Sequence, residues 1–155
     1  YNNNMKLKYI LFVLIVLAIG GIGYYGISPL FKNISLDEAV PTLEIKDREV
    51  LQKSAAVVGT LAHPSSGSVK IVESEGKTYI RYENFKTING PDLFVYLSKD
   101  RDAKDFVNLG VLKATEGNIN YEVPAGVNIN DYPYALVWCR LFGVLFNSAD
   151  LSIFL

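Results

Sequence analysis

The sequence predicts an all-β ectodomain, a β-sandwich or a partly open β-barrel, preceded by one N-terminal transmembrane helix. Three observations predict it. From Ala55 onwards, short apolar and aromatic runs are punctuated by Gly, Pro, Asn and Asp, with no sustained helical period. The stretch 134–151 is apolar on both faces of its alternation, as an interior strand covered on both sides requires. Residues 9–27 carry no charge at all.

The chain has 155 residues, enough for one ordinary domain and a short extra segment, and half of them are hydrophobic. A formal net charge of −1 argues against a nucleic-acid binder, which normally shows a basic surplus. The single Cys rules out an intrachain disulfide, and the single His rules out a His-cluster metal site.

Met5 reads as the true start, and 1–8 as a cytoplasmic tail whose Lys6 and Lys8 place the N-terminus inside. Residues 9–27 rise about 28 Å as a helix, close to a bilayer core. Tyr24 and Tyr25 then suit the outer interface. The competing reading is a cleaved signal peptide, but no A-x-A site follows, and two bulky tyrosines stand where small residues are wanted. The localisation expected is a single-pass cell-membrane protein whose C-terminal domain is extracytoplasmic, with the lipid bilayer as its first partner. Residues 28–54 read as an extended stalk, broken by Pro29 and Pro41. Asn33-Ile34-Ser35 matches the N-glycosylation pattern, and equally an unmodified loop.

The β domain occupies 55–155. Its first strand is expected at Ala55–Ala62, followed by a turn at His63–Gly67. Val69–Glu73 and Lys77–Phe85 flank a hairpin turn at Ser74–Gly76, with Gly76 at positive φ. Asn89–Asp92 is a turn before a strand at Leu93–Leu97. Lys99–Asp105 is a charged loop, and Val107–Lys113 a strand with a break or bulge at Gly110. Gly117-Asn118 reads as a turn, and Asn120–Val123 as a strand ended by Pro124. Tyr134 begins the central strand, with Tyr134, Leu136, Trp138 and Arg140 on one face and Ala135, Val137, Cys139 and Leu141 on the other. Phe142–Phe146, bulged at Gly143, and Leu151–Leu155 close the sheet.

Gly59-Thr-Leu with His63, Ser66-Gly-Ser-Val69, Tyr79-Ile-Arg81, Glu83-Asn-Phe85 and Asn89-Gly-Pro-Asp-Leu-Phe-Val-Tyr-Leu-Ser98 form an ordered series. Leu109-Gly110, Leu112-Lys113, Gly117-Asn118, Tyr121-Glu-Val-Pro124, Val137-Trp-Cys139, Phe142, Phe146 and Ala149-Asp-Leu151 continue it. In order and spacing the series resembles the DM-13 domain, also called the electron-transfer DM domain. Ala114-Thr-Glu departs from the family at a turn. The resemblance implies a β-rich extracytoplasmic domain, a characteristic cysteine at Cys139, and redox or electron transfer through a bare thiol or a bound group such as haem. It also implies a redox partner protein.

Cys139 is therefore the candidate redox thiol. The competing reading is a buried, inert thiol in a non-catalytic surface binding or structural module. Arg140 is its neighbour in sequence but should point to the opposite face, which weakens its help to a thiolate. His63 is the only imidazole and, with Cys139, the candidate haem-type ligand; the alternative is a loop histidine before Pro64. No C-x-x-C-H is present, so covalent c-type haem is excluded. Asp100, Asp102 and Asp105 lack EF-hand register and read as a solvated loop. The aromatics Tyr79, Tyr82, Phe94, Tyr96, Tyr132 and Tyr134 suit either a binding face or cross-strand packing. Hydrolase readings fail, since there is no G-x-S-x-G and a single histidine makes no triad by itself.

Overall fold

The computed structural model describes residues 3–28, 32–41 and 53–154. Spacer residues 29–31 and 42–52, and Leu155, lie outside the described residues. Helix α1 covers Asn3–Ile27, and its 21-residue stretch Met5–Tyr25 is long and apolar enough to cross a membrane. It is apolar all round and none of that stretch is buried against the domain, which sets it apart from an amphipathic surface helix. Length and composition fit either a membrane span or a signal sequence.

The domain is one curled nine-stranded sheet, a half-barrel. In chain order its strands are β1 (Ser35–Asp37), β2 (Ala55–Gly59), β3 (Ser65–Ser74), β4 (Lys77–Thr87), β5 (Leu93–Ser98), β6 (Phe106–Val111), β7 (Glu116–Glu122), β8 (Tyr134–Cys139) and β9 (Val144–Asp150). Across the sheet the order is β1-β7-β4-β3-β2-β9-β8-β5-β6. Strand β2 is the corner. Ala55 and Ala56 pair with β3, while Val57, Val58 and Gly59 pair with β9.

Curling puts one face of every strand around a common core. Val69, Ile80, Val95, Leu97, Ile119 and Val137 are wholly buried there, each worth roughly 1.5–3 kcal/mol relative to exposure. The β3–β4 hairpin turns on Glu75 and Gly76, both at positive φ (52° and 73°). That pair matches the strand twist, as a two-residue hairpin needs. The expected irregularity at Gly110 coincides with the register shift between Val95 and Tyr96 in the β5–β6 ladder.

Four local expectations need correction. Part of the segment read as an extended spacer, Ser35–Asp37, pairs in parallel with β7. Gly117-Asn118 is not a turn but lies within β7. Gly117 is at φ 119°, and a Cβ there would strike the Leu36 carbonyl, so the glycine is what admits β1. Leu141, Phe142 and Gly143 belong to the β8–β9 turn, with Gly143 at φ 63°, so Leu141 is exposed and does not share the buried face of Cys139, and β9 begins only at Val144. Leu151–Phe154 is a 3-10 turn instead of a strand, because the Asp150 carboxylate accepts from the Ser152 N–H (3.0 Å) and hydroxyl (2.6 Å) and bends the chain.

The two ends of the half-barrel differ. One end, called the proximal rim, gathers the starts of β1, β3, β5, β7 and β9 and the ends of β2, β4, β6 and β8. The chain leading from α1 enters there, since Asn89 Nδ2 donates to the Lys32 carbonyl at 3.1 Å. The distal end carries the 75–76 turn and the 99–105 loop.

Candidate functional site at the proximal rim

Cys139 is the last residue of β8, paired between Leu93 of β5 and Val144 of β9. Its alternation within β8 sends the sulfur to the inner face. It is 0% exposed and belongs to the main core with Leu93, Val137 and Phe146. The sequence therefore placed it on the correct face of a doubly covered strand. Trp138 points the other way and joins Phe94, Tyr96, Leu136, Tyr134 and Leu145 in a second, outer cluster.

Arg140 follows Trp138 to the outer side. Its guanidinium lies 4.2 Å from the Phe94 ring centroid, and its Nε and Nη2 donate to Asp92 at 3.0 and 3.4 Å. The Arg140 N–H also donates to the Asp92 carbonyl at 2.9 Å. Asp92 and Arg140 thus clasp the β5 and β8 ends together one residue beyond the buried thiol. The clasp was invisible in the sequence. Forty-eight residues separate its members, and only the pairing of Leu93 with Cys139 brings them face to face.

His63 lies in the β2–β3 loop, half-buried. Its ring stacks on Phe146 at 3.8 Å between centroids, and Nδ1 pairs with the Thr60 hydroxyl at 2.8 Å. Below it, Ser65 Oγ donates to the His63 carbonyl, and buried Asn147 Nδ2 donates to Ser65 Oγ at 3.1 Å. These bonds fix the loop and make the imidazole a lid over Phe146. The residues do not compose a haem cradle: the Cys139 sulfur is sealed in the core, and the His63 Nδ1 is already taken by the Thr60 hydroxyl. No group of three or more His, Cys, Asp or Glu that could hold a metal occurs among the described residues. A polar cleft of about 380 Å³ beside β1 and β7, lined by Asp37, Lys86 and Glu116 among others, includes neither Cys139 nor His63.

The aromatics divide between the two faces. Tyr82 packs edge-on against Phe85 and Tyr121, at 4.9 and 6.0 Å, inside the curl. Burial pushes both tyrosine hydroxyls far above their ordinary range. The Tyr121 hydroxyl accepts from the Lys113 N–H at 2.9 Å, whereas the Tyr82 hydroxyl has no partner among the described residues. Outside, Tyr96 stacks on Phe106 at 4.1 Å, and Arg101 lies 5.1 Å from the Tyr134 ring. Phe94, Tyr96 and Tyr82 are buried, so they are cross-strand packing and offer no open binding face.

Seen as chemistry, the rim holds a buried thiol on the inner face of β8 and, one residue further on, an ion pair on its outer face. A family model described as electron transfer DM13 matches residues 58–151, from within β2 to the C-terminal turn. No curated protein and no solved structure matches the chain.

Proposed function

Because the chain belongs to the electron-transfer DM13 family, we propose that it is a membrane-anchored, extracytoplasmic redox module whose working group is the Cys139 thiol. The observation that carries the reading is the family match over 58–151, which contains the only sulfur able to change oxidation state reversibly as a thiol. The anchor is α1, with Lys6 and Lys8 on the cytoplasmic side. In this reading the β5–β8 ends open, and the Cys139 thiolate attacks a partner disulfide. A mixed disulfide forms, and the partner's second sulfur leaves as a thiolate. The Asp92–Arg140 clasp sets how often the ends open.

The test compares the full chain with Cys139→Ser in detergent or vesicles, using a disulfide reagent without denaturant. The reading expects slow, complete mixed-disulfide formation on the native protein, and membrane retention in alkaline carbonate. Labelling that appears only above the global unfolding transition sinks the thiol mechanism.

One observation favours a second reading. Cys139 is 0% exposed among close-packed apolar side chains, which is how an inert cysteine behaves. The domain is then a surface binding or structural module, and Cys139→Ser leaves every redox response unchanged.

A further inference from the structure

Exposed apolar side chains are unevenly placed on the ectodomain. Leu61, Leu141 and Phe142 are 107%, 62% and 67% exposed. All three sit on the proximal rim, Leu61 in the β2–β3 loop and the others at the tip of the β8–β9 hairpin. Val111, at the end of β6, and Ile34, just before β1, are exposed at the same end. At the distal end Phe106 and Ile153 are less exposed, at 41% and 46%, and the turns carry Glu75, Asp100, Asp102 and Lys104. Single exposed apolar residues need no explanation, but a group on one end of a charged body marks an interaction surface.

Chain length says what covers it. Lys32, bonded to Asn89 on that rim, follows the last residue of α1, Ile27, by five positions. Five residues reach at most about 18 Å when fully extended. Strand β4 has 11 residues, so the body is about 36 Å long from rim to distal end. With α1 across a bilayer, the rim cannot leave the neighbourhood of the headgroups. Lys32 is exposed on the same rim, and a long cationic side chain of this kind reaches lipid phosphates while its stem packs on apolar groups.

We propose that the half-barrel sits rim-down on the bilayer, with Leu61, Leu141 and Phe142 entering the lipid interface beside the anchor. The proposal rests on the anchor reading above. It makes the rim a second, interfacial membrane contact independent of any redox chemistry.

The experiment uses the full chain in phosphatidylcholine–phosphatidylglycerol vesicles, with and without acyl-brominated lipid. Phe142→Trp places a fluorescent sensor on the rim, and Ile153→Trp places one at the distal end; both positions are exposed, so folding tolerates the change. Trp138 in the parent chain gives the baseline. The expected result is bromine quenching of the rim sensor beyond the parent, with the distal sensor matching the parent. Carbonate extraction is run on the same vesicles. A chain that stays embedded while the rim sensor is quenched no more than the distal one overturns the rim contact and leaves the anchor standing. A chain released by carbonate removes the anchor, and the rim contact with it. A rim sensor that is blue-shifted yet unquenched reports a protein covering the rim, and also overturns the proposal.

Discussion

Loosening the Asp92–Arg140 clasp should make Cys139 react faster without unfolding the domain. The Arg140 side chain is 59% exposed and Asp92 28%, so the ion pair is a partly solvated one. Such pairs contribute about 0.2–1 kcal/mol. Asp92→Asn removes the charge, keeps the shape and retains the backbone bond from Arg140. At 1.4 kcal/mol per factor of ten, the population of opened β5–β8 ends rises by about 1.4- to 5-fold. Arg140→Ala also removes the guanidinium from Phe94, a contact worth about 0.5–1 kcal/mol, and raises opening to roughly 3- to 30-fold. The assay is the pseudo-first-order rate of labelling by a disulfide reagent at low denaturant, where closing outpaces labelling and the rate tracks the opened population. Equal rates in parent, Asp92→Asn and Arg140→Ala would refute the idea that the clasp gates the thiol. So would a parent rate whose denaturant dependence matches that of global unfolding.

Other outcomes follow from packing and charge. Gly117→Ala should lower the unfolding free energy by more than about 1 kcal/mol and shift the urea midpoint, because φ 119° is strained for alanine and the new Cβ strikes Leu36. Arg81 is 5% exposed and donates to the Glu38 and Ala39 carbonyls, Asn120 Oδ1 and Glu83. Arg81→Met should therefore cost about 3 kcal/mol in chemical denaturation, since it strands several acceptors. Burial raises the Glu83 pKa, but hydrogen bonds from Lys70 and Arg81 outweigh it and hold the carboxyl below its ordinary 4.5. A depressed folded pKa means stability that is full above the unfolded value and lost as pH falls through the folded one. The thermal midpoint should thus drop on acidification below about pH 4.5, and Glu83→Gln should flatten that drop.

Much of the sheet was legible because its strands obey local rules. Lys77–Phe85 and Leu93–Leu97 are β-branched and aromatic runs between turn residues, and Ser74-Glu-Gly76 spells a two-residue hairpin. The central strand was legible for the same reason: both of its faces are apolar, and both are covered. What escaped depends on partners far away in sequence. Ser35-Leu-Asp37 is too short and polar to announce a strand, and becomes one only because β7 offers a glycine at the crossing point. Gly117-Asn118 has turn composition, yet long-range pairing overrides it. At the candidate site the face of Cys139 could be read from alternation, but its depth could not. The sulfur shares its core cluster with Phe146 of β9 and Leu93 of β5, which only register brings there, and the pairing of Asp92 with Arg140 follows from register alone.

The parallel pairing of Ser35 with Glu116 has a consequence for biosynthesis. Helix α1 is made before the sheet, and β1, which follows it closely, has its mate 81 residues later. At 5–20 residues per second that mate emerges roughly 4–16 s afterwards. Throughout that interval β1 stays unmatched while β2 to β6 are made, with β8 and β9 still to come. Docking of β7 therefore gives β1 and β4 their shared neighbour, and the sheet is joined from β2 to β5 only when β8 and β9 follow.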